Sequence, residues 1–367
     1  MTVDRGSDSL APKIILVFII IAVALSTTLF FSIEKYSRSD LISAALKVKD
    51  GNFDTMLFAV RPLLLLLVYA LPWNPLYFLS LISLASYLIS VYLSYRFTRE
   101  LYDKMSALLA SSLLASNFAV ILASSAPMAD LPSLAAVLAI QLIILRELRG
   151  HSNNGFSWLK YGLLSGLLVL VRENVLVCVA AMCFLLLYKR LYKPLLAYSI
   201  SAFLVVACWQ TFASEAFGMN YLTQLSTGIS LSMKYSGKPY NPFKVVGYLI
   251  SGLTPQLSLL AFLGILMDDD NDRFKLIHII GLPPLALAAL WPAIYEPRVA
   301  IIALPGIIHI CGYGLNRLVG KLSERPIYRV CGRNTLIILF LTANLCINIF
   351  LAYLNNGYKF SVMWRLF

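Results

Sequence analysis

From Met105 to Leu145 a single charged side chain, Asp130, interrupts an otherwise uncharged and largely apolar stretch. A helix of about 20 apolar residues crosses the ~30 Å hydrocarbon core of a bilayer, and runs of that kind recur along the whole chain. Mean hydropathy is +0.78, with 59% apolar and 13% charged residues, which lies outside the range of soluble globular proteins. In lipid every backbone polar group needs an internal partner, and these runs do not alternate as barrel strands do. The expected fold is therefore all-α: a polytopic transmembrane bundle of about 11 spans, read as one integral membrane domain over residues 1–367.

Helical spans are expected near 14–32, 77–97, 105–123, 131–146, 158–171, 174–189, 195–213, 245–267, 276–294, 298–317 and 335–354. Ile14–Phe31 is longer than a signal-peptide core and lacks a small-x-small cleavage site, so it reads as retained. Leu57–Trp73 is apolar but short, and Arg61-Pro62 interrupts it. The basic residues decide its placement. If this segment stays on the outer surface, behind an amphipathic helix at Ser39–Lys49, most of the 30 Lys and Arg fall in loops on the side of the N-terminus. The short hairpins opposite are then nearly free of them. That is the positive-inside pattern, with a cytoplasmic N-terminus in a multi-pass cell-membrane protein.

The net charge of +12 is spread over many short loops, which argues against a nucleic-acid partner. Six cysteines show no Cys-x-x-Cys or Cys/His metal spacing, and His151, His278 and His309 are far apart. No ligand set for a metal is legible, and the need for a cofactor is left open. The acids are better organised. Asp130, Arg172-Glu173 and Glu296 with Arg298 each sit in a short outer hairpin. The first outer loop adds Glu34, Asp40, Asp50 and Asp54.

An Asp soon after the first span, an amphipathic helix ending in Gly ("DLISAALKVKDGNF") and a Pro-led apolar segment ("RPLLLLLVYALPW") resemble the first outer loop of GT-C glycosyltransferases. That superfamily includes protein O-mannosyltransferases and the aminoarabinose transferases of lipid A. The basic turn and acidic hairpin within "RFTRELYDKMSALLASSLLASNFAVILASSAPMADLP" are similar to the family's, as are "WLKYGLLSGLLVLVREN" and "YEPRVAIIALPGIIHI". The resemblance covers most of residues 14–320, with 335–354 as an additional C-terminal span.

The resemblance implies a membrane hexosyltransferase. It would move a sugar from a polyprenyl- or dolichyl-phosphate carrier to an acceptor hydroxyl on a protein, lipid or glycan, with inversion, on the outer face. By position Asp40 inherits the role of catalytic base. Phosphate is a competent leaving group, so one carboxylate suffices, contributing about 10²–10⁴-fold. The carrier phosphate calls for a guanidinium fork, for which Arg298 is the first candidate, with Arg172 and Arg61 behind it. Glu296 is the neighbour of Arg298 and an alternative ion-pair partner for it. Asp130 either caps the helix begun by Pro132 or orients substrate, and the two roles are compatible. Glu173 is read in the same way.

The chain also departs from the family. Val60 stands where some members carry a metal-binding acid, Pro62 is single where prolines are usually paired, and Arg298 is followed by Val299. The run "DDDND" at 268–272 contains Asp-x-Asp, but the charge balance puts it inside, and Arg273 breaks the calcium-loop pattern. It reads as a solvated turn. The long outer segment Ser214–Lys244 reads as a lid or as an aromatic interfacial anchor. Two rival functions are a transporter or lipid flippase, which usually places ionisable groups near the midplane, and a catalytically silent scaffold of the same fold.

Overall fold

A computed structural model describes residues 10–30, 40–150, 155–227, 242–268, 299–325 and 332–356, and no strand occurs among them. The chain opens with α1 (Leu10–Phe30), α2 (Asp40–Lys49), α3 (Met56–Val60) and α4 (Pro62–Ala70). Next come α5 (Pro75–Leu101), α6 (Lys104–Ser116), α7 (Phe118–Ser125), α8 (Asp130–Gly150) and α9 (Gly155–Val169). The remainder comprises α10 (Val175–Tyr188), α11 (Tyr192–Phe217), α12 (Pro242–Leu266), α13 (Val299–Ser323) and α14 (Gly332–Asn356). The expected span at 276–294 lies outside the described residues.

Among the described residues four helices are long and apolar enough to cross a membrane: α5, α11, α13 over Ile301–Ser323 and α14 over Gly332–Leu351. The bent pair α6–α7 adds a fifth when taken as one span. Two of them, α5 and α11, bury small polar residues and turn large apolar ones outward. On α5 the buried face carries Ser80, Ser83, Ser90 and Ser94, while Tyr77, Leu81, Leu88 and Ile89 face outward. On α11 Phe203 is 73% exposed and its neighbour Ser201 only 2%. Small residues bring helices together where lipid removes any drive to bury leucine, so this distribution suits a helix with hydrocarbon on one side.

Two glycines show how close these contacts are. Gly162 and Gly166, four apart on α9, lie against α11. A Cβ on the first would stand 2.3 Å from the Tyr198 carbonyl oxygen, and on the second 2.7 Å from that of Ala202. Any larger residue would push the two helices apart.

Two expected helices are broken at buried positions. The run 105–123 bends by 62° at Asn117, whose side chain accepts from the Ala119 and Val120 N–H groups and so starts α7 afresh. The freed Phe118 N–H donates to Asn348 Oδ1 at 2.9 Å, and Asn344 Nδ2 donates to Ser116 Oγ at 2.8 Å. The second break is in α12 at Thr254 (φ 68°, ψ 147°), just before Pro255. Asn117 Nδ2 reaches across to the Gly252 carbonyl there. Amide side chains on α6–α7 and α14, themselves buried, thus supply partners for backbone groups that the breaks leave shielded from water.

At one end of α5 the first loop folds onto the bundle. The amphipathic helix expected at Ser39–Lys49 forms as α2. The Leu57–Trp73 segment is two short helices instead of one, because Pro62 has no N–H to continue α3 and takes the first position of α4. Leu41, Ala45 and Val48 of α2 share one apolar cluster with Leu64 and Leu65 of α4, with Ala129, and with Leu170 and Val171. Trp209 Nε1 donates to the Ala59 carbonyl at 2.9 Å, and the Leu63 N–H to the Leu170 carbonyl at 3.3 Å. This cluster fixes the loops that precede Arg61, Asp130 and Arg172.

Candidate functional site

Arg61 projects from the junction of α3 and α4, Asp130 is the first residue of α8, and Arg172 and Glu173 lie in the turn between α9 and α10. The fold brings all four together. Arg61 grips Glu173 with both arms of its fork, Nη2 to Oε1 at 2.7 Å and Nε to Oε2 at 3.0 Å. Arg172 Nη1 donates to Asp130 Oδ1. Beside them Ser133 Oγ donates to Asn174 Oδ1 at 2.7 Å. The side chains of Asp130 and Arg172 are 4% and 7% exposed, those of Glu173 and Arg61 12% and 20%.

The two pairs influence each other. Burial pushes the Glu173 carboxyl up, but the charge and hydrogen bonds of Arg61, with Arg172 behind them, outweigh it and hold the group down at about 2. Burial likewise works against the charged form of Arg61. Glu173 prevails, aided by Asp130, and the guanidinium is raised above its ordinary value. Tyr221 completes the surroundings, pushed up to about 12 by burial and then by the charge of Glu173. The Tyr221 hydroxyl and Arg172 Nε have no hydrogen-bond partner among the described residues.

A carboxyl held near 2 is a poor proton acceptor at neutral pH. Glu173 therefore serves to hold and orient Arg61, and Asp130 is bound to Arg172 in the same way. The cavity against Asp130, Ser133 and Asn174, bounded by Ile302 and Pro305, has a volume of about 10 Å³, the space of a single water.

The other sequence candidates are distributed as follows. Asp40 stands at the first position of α2, at the same end of the bundle, with its side chain outside the described set. Glu296 and Arg298 lie outside the described residues, as do His151, His278 and residues 269–272 of the acidic run. Asp268 accepts from the Tyr102 hydroxyl at 3.1 Å, beyond the far end of α5. His309 is fully buried and meets the Phe97 ring edge-on at 5.2 Å. Among the described residues no three His, Cys, Asp or Glu side chains gather as metal ligands.

Sequence reasoning named Arg61, Asp130, Arg172 and Glu173 without their pairing, and ranked Arg61 and Arg172 behind Arg298. It did not single out Tyr221, whose only signal is its place among the aromatics of the 214–244 segment, or the contact of Asn174 with Ser133. No protein-family model matches the chain, and no curated protein matches it in sequence.

Proposed function

We propose that the chain is a membrane glycosyltransferase of the GT-C type with about 11 spans, working at the membrane face where α2 and the charge quartet lie. The observation that carries this reading is the convergence of Arg61, Glu173, Arg172 and Asp130 from three separate segments at that end. The resemblance of the surrounding motifs supplies the chemistry. The acceptor hydroxyl loses its proton to the Asp40 carboxylate as its oxygen bonds to the sugar's anomeric carbon. The bond from that carbon to the carrier's phosphate oxygen breaks, and its electron pair leaves with the polyprenyl phosphate. Anomeric configuration inverts because attack and departure take opposite faces.

Guanidiniums already set at fixed positions suit the phosphate, since they cost little reorganisation when charge develops. Arg61 and Arg172 take that role beside Arg298. Glu173 and Asp130 position them, which leaves proton abstraction to the first loop. Asp40→Asn in proteoliposomes given a labelled polyprenyl-phosphate sugar should cut transfer by about 10²–10⁴-fold while the melting temperature holds. Undiminished transfer rejects the base assignment.

A second reading, a transporter or flippase, has one observation in its favour. Helix breaks at Asn117 and Thr254 adjoin each other at buried positions, as broken helices do in transporters. Asn344 and Asn348 fill the first of them with amides, and the acids and guanidiniums of the quartet lie elsewhere. Carrier flux across the same proteoliposomes without sugar transfer would favour this reading.

A further inference from the structure

At the far end of α5 a second polar region opens, independent of the reading above. The end of α5, the turn into α6 and the facing ends of α13 and α14 border an open cavity of about 610 Å³. Ligand sites commonly measure about 300–1,000 Å³, so this one is large enough for a headgroup. Its cations are Arg317 and Lys321 from α13 and Arg333 from α14.

The walls are built, and neutral groups position two of these cations. Tyr102 and Tyr313 stack with ring centroids 4.4 Å apart, anchored by the Tyr102 hydroxyl on Asp268 and the Tyr313 hydroxyl on the Met267 carbonyl. Arg317 Nε donates to the Tyr313 hydroxyl at 3.0 Å, and its guanidinium lies 5.2 Å from that ring's centre. Arg333 Nη2 donates to Asn316 Oδ1 at 2.6 Å. The Asn316 amide nitrogen is turned toward Asp103 and Ser106, which fixes its oxygen to face the arginine. Lys321 and Arg333 have no carboxylate partner among the described residues.

Topogenic basic residues need only reach water. Here they line a single cavity, and an amide that is itself tied down holds one of them in place. Arginine forks match phosphate oxygens, lysine adds a point charge, and basic pockets between spans recognise anionic headgroups. We infer that this cavity binds a phosphate ester or phosphate ion, through Lys321 and Arg333 with Arg317 at its aromatic wall.

The test uses the full chain in phosphatidylcholine nanodiscs, with bound phosphatidylglycerol counted by native mass spectrometry and inorganic phosphate titrated separately against chloride of equal ionic strength. Wild type should retain phosphatidylglycerol over phosphatidylcholine. Lys321→Gln with Arg333→Gln should weaken this about 30-fold, from ~1 kcal/mol per basic residue. Glu324→Gln, which removes an acid from the same cavity, should tighten it severalfold and keeps the inference testable if the double variant does not fold. Inorganic phosphate binding with the same sensitivity to these variants would identify a soluble anion as the occupant. If neither ligand's affinity moves by threefold in either variant, the site is refuted.

Discussion

The two ends of α5 treat charge in opposite ways. At the Asn74 end two acids and two guanidiniums close on each other, largely shielded from solvent, and the cavity beside Asp130 is only about 10 Å³. Beyond Leu101 three cations and two acids, Asp103 and Glu324, border some 610 Å³ of open space, and Asn316 and Tyr313 hold two of the cations. In the first place ionic contacts fasten loops to the bundle and set guanidiniums at fixed positions. In the second Lys321 and Arg333 face the cavity with no carboxylate partner among the described residues. The same residue types are locked in place where a carboxylate grips them directly and face open space where an amide or hydroxyl holds them.

The sharpest way to break this contrast is Asp130→Ala. It leaves the Arg172 guanidinium buried without its carboxylate, and removing one partner of such a pair costs about 3–5 kcal/mol. Thermal unfolding of the purified protein should show a large drop, and Asp130→Asn combined with Arg172→Gln should recover much of it. A loss below about 1 kcal/mol for the single variant would mean the pair is not buried in the sense described.

Glu173→Gln comes next. Its carboxyl is depressed from 4.5 to about 2 in the folded chain. The stability it contributes is present above 4.5 and is lost as pH falls from there through about 2. At ~1.4 kcal/mol per unit, trimmed for partial exposure, the contribution is about 2 kcal/mol. Acid titration of the melting temperature should be steeper in wild type than in the variant across that window, and parallel curves would contradict the assignment.

The smallest effect belongs to the other end. Lys321→Gln with Arg333→Gln should change stability by no more than about 0.5 kcal/mol, because both side chains are exposed and carry no ion pair among the described residues. Molar salt, which shortens the screening length to about 3 Å, should weaken anion capture there while leaving the buried pairs nearly untouched. A large destabilisation by this double variant would erase the difference between the two ends.

Much of the architecture is legible in the chain without coordinates. Apolar runs and the amphipathic pattern of Asp40–Lys49 are local features, and among the described residues helices form over the expected stretches, with breaks in two of them. Asp130, Arg172 and Glu173 also stand out, because isolated ionisable residues between apolar runs are conspicuous. Two interruptions are less visible. Asn117 in an apolar run looks like any polar residue in a helix until Asn348 is found satisfying the Phe118 N–H. Thr254 before Pro255 gives a hint, but its left-handed backbone appears only in the fold.

Hydropathy and capping act over a few residues, so sequence alone settles an all-helical, lipid-suited chain and the short list of charges that interrupt it. Pairing acts across the bundle. Glu173 finds Arg61 across 112 positions and Asp130 finds Arg172 across 42, and Asn316 meets Arg333 only where α13 and α14 converge. A guanidinium's partner is whatever packing brings within 3 Å, and that distance is a property of how the helices stack.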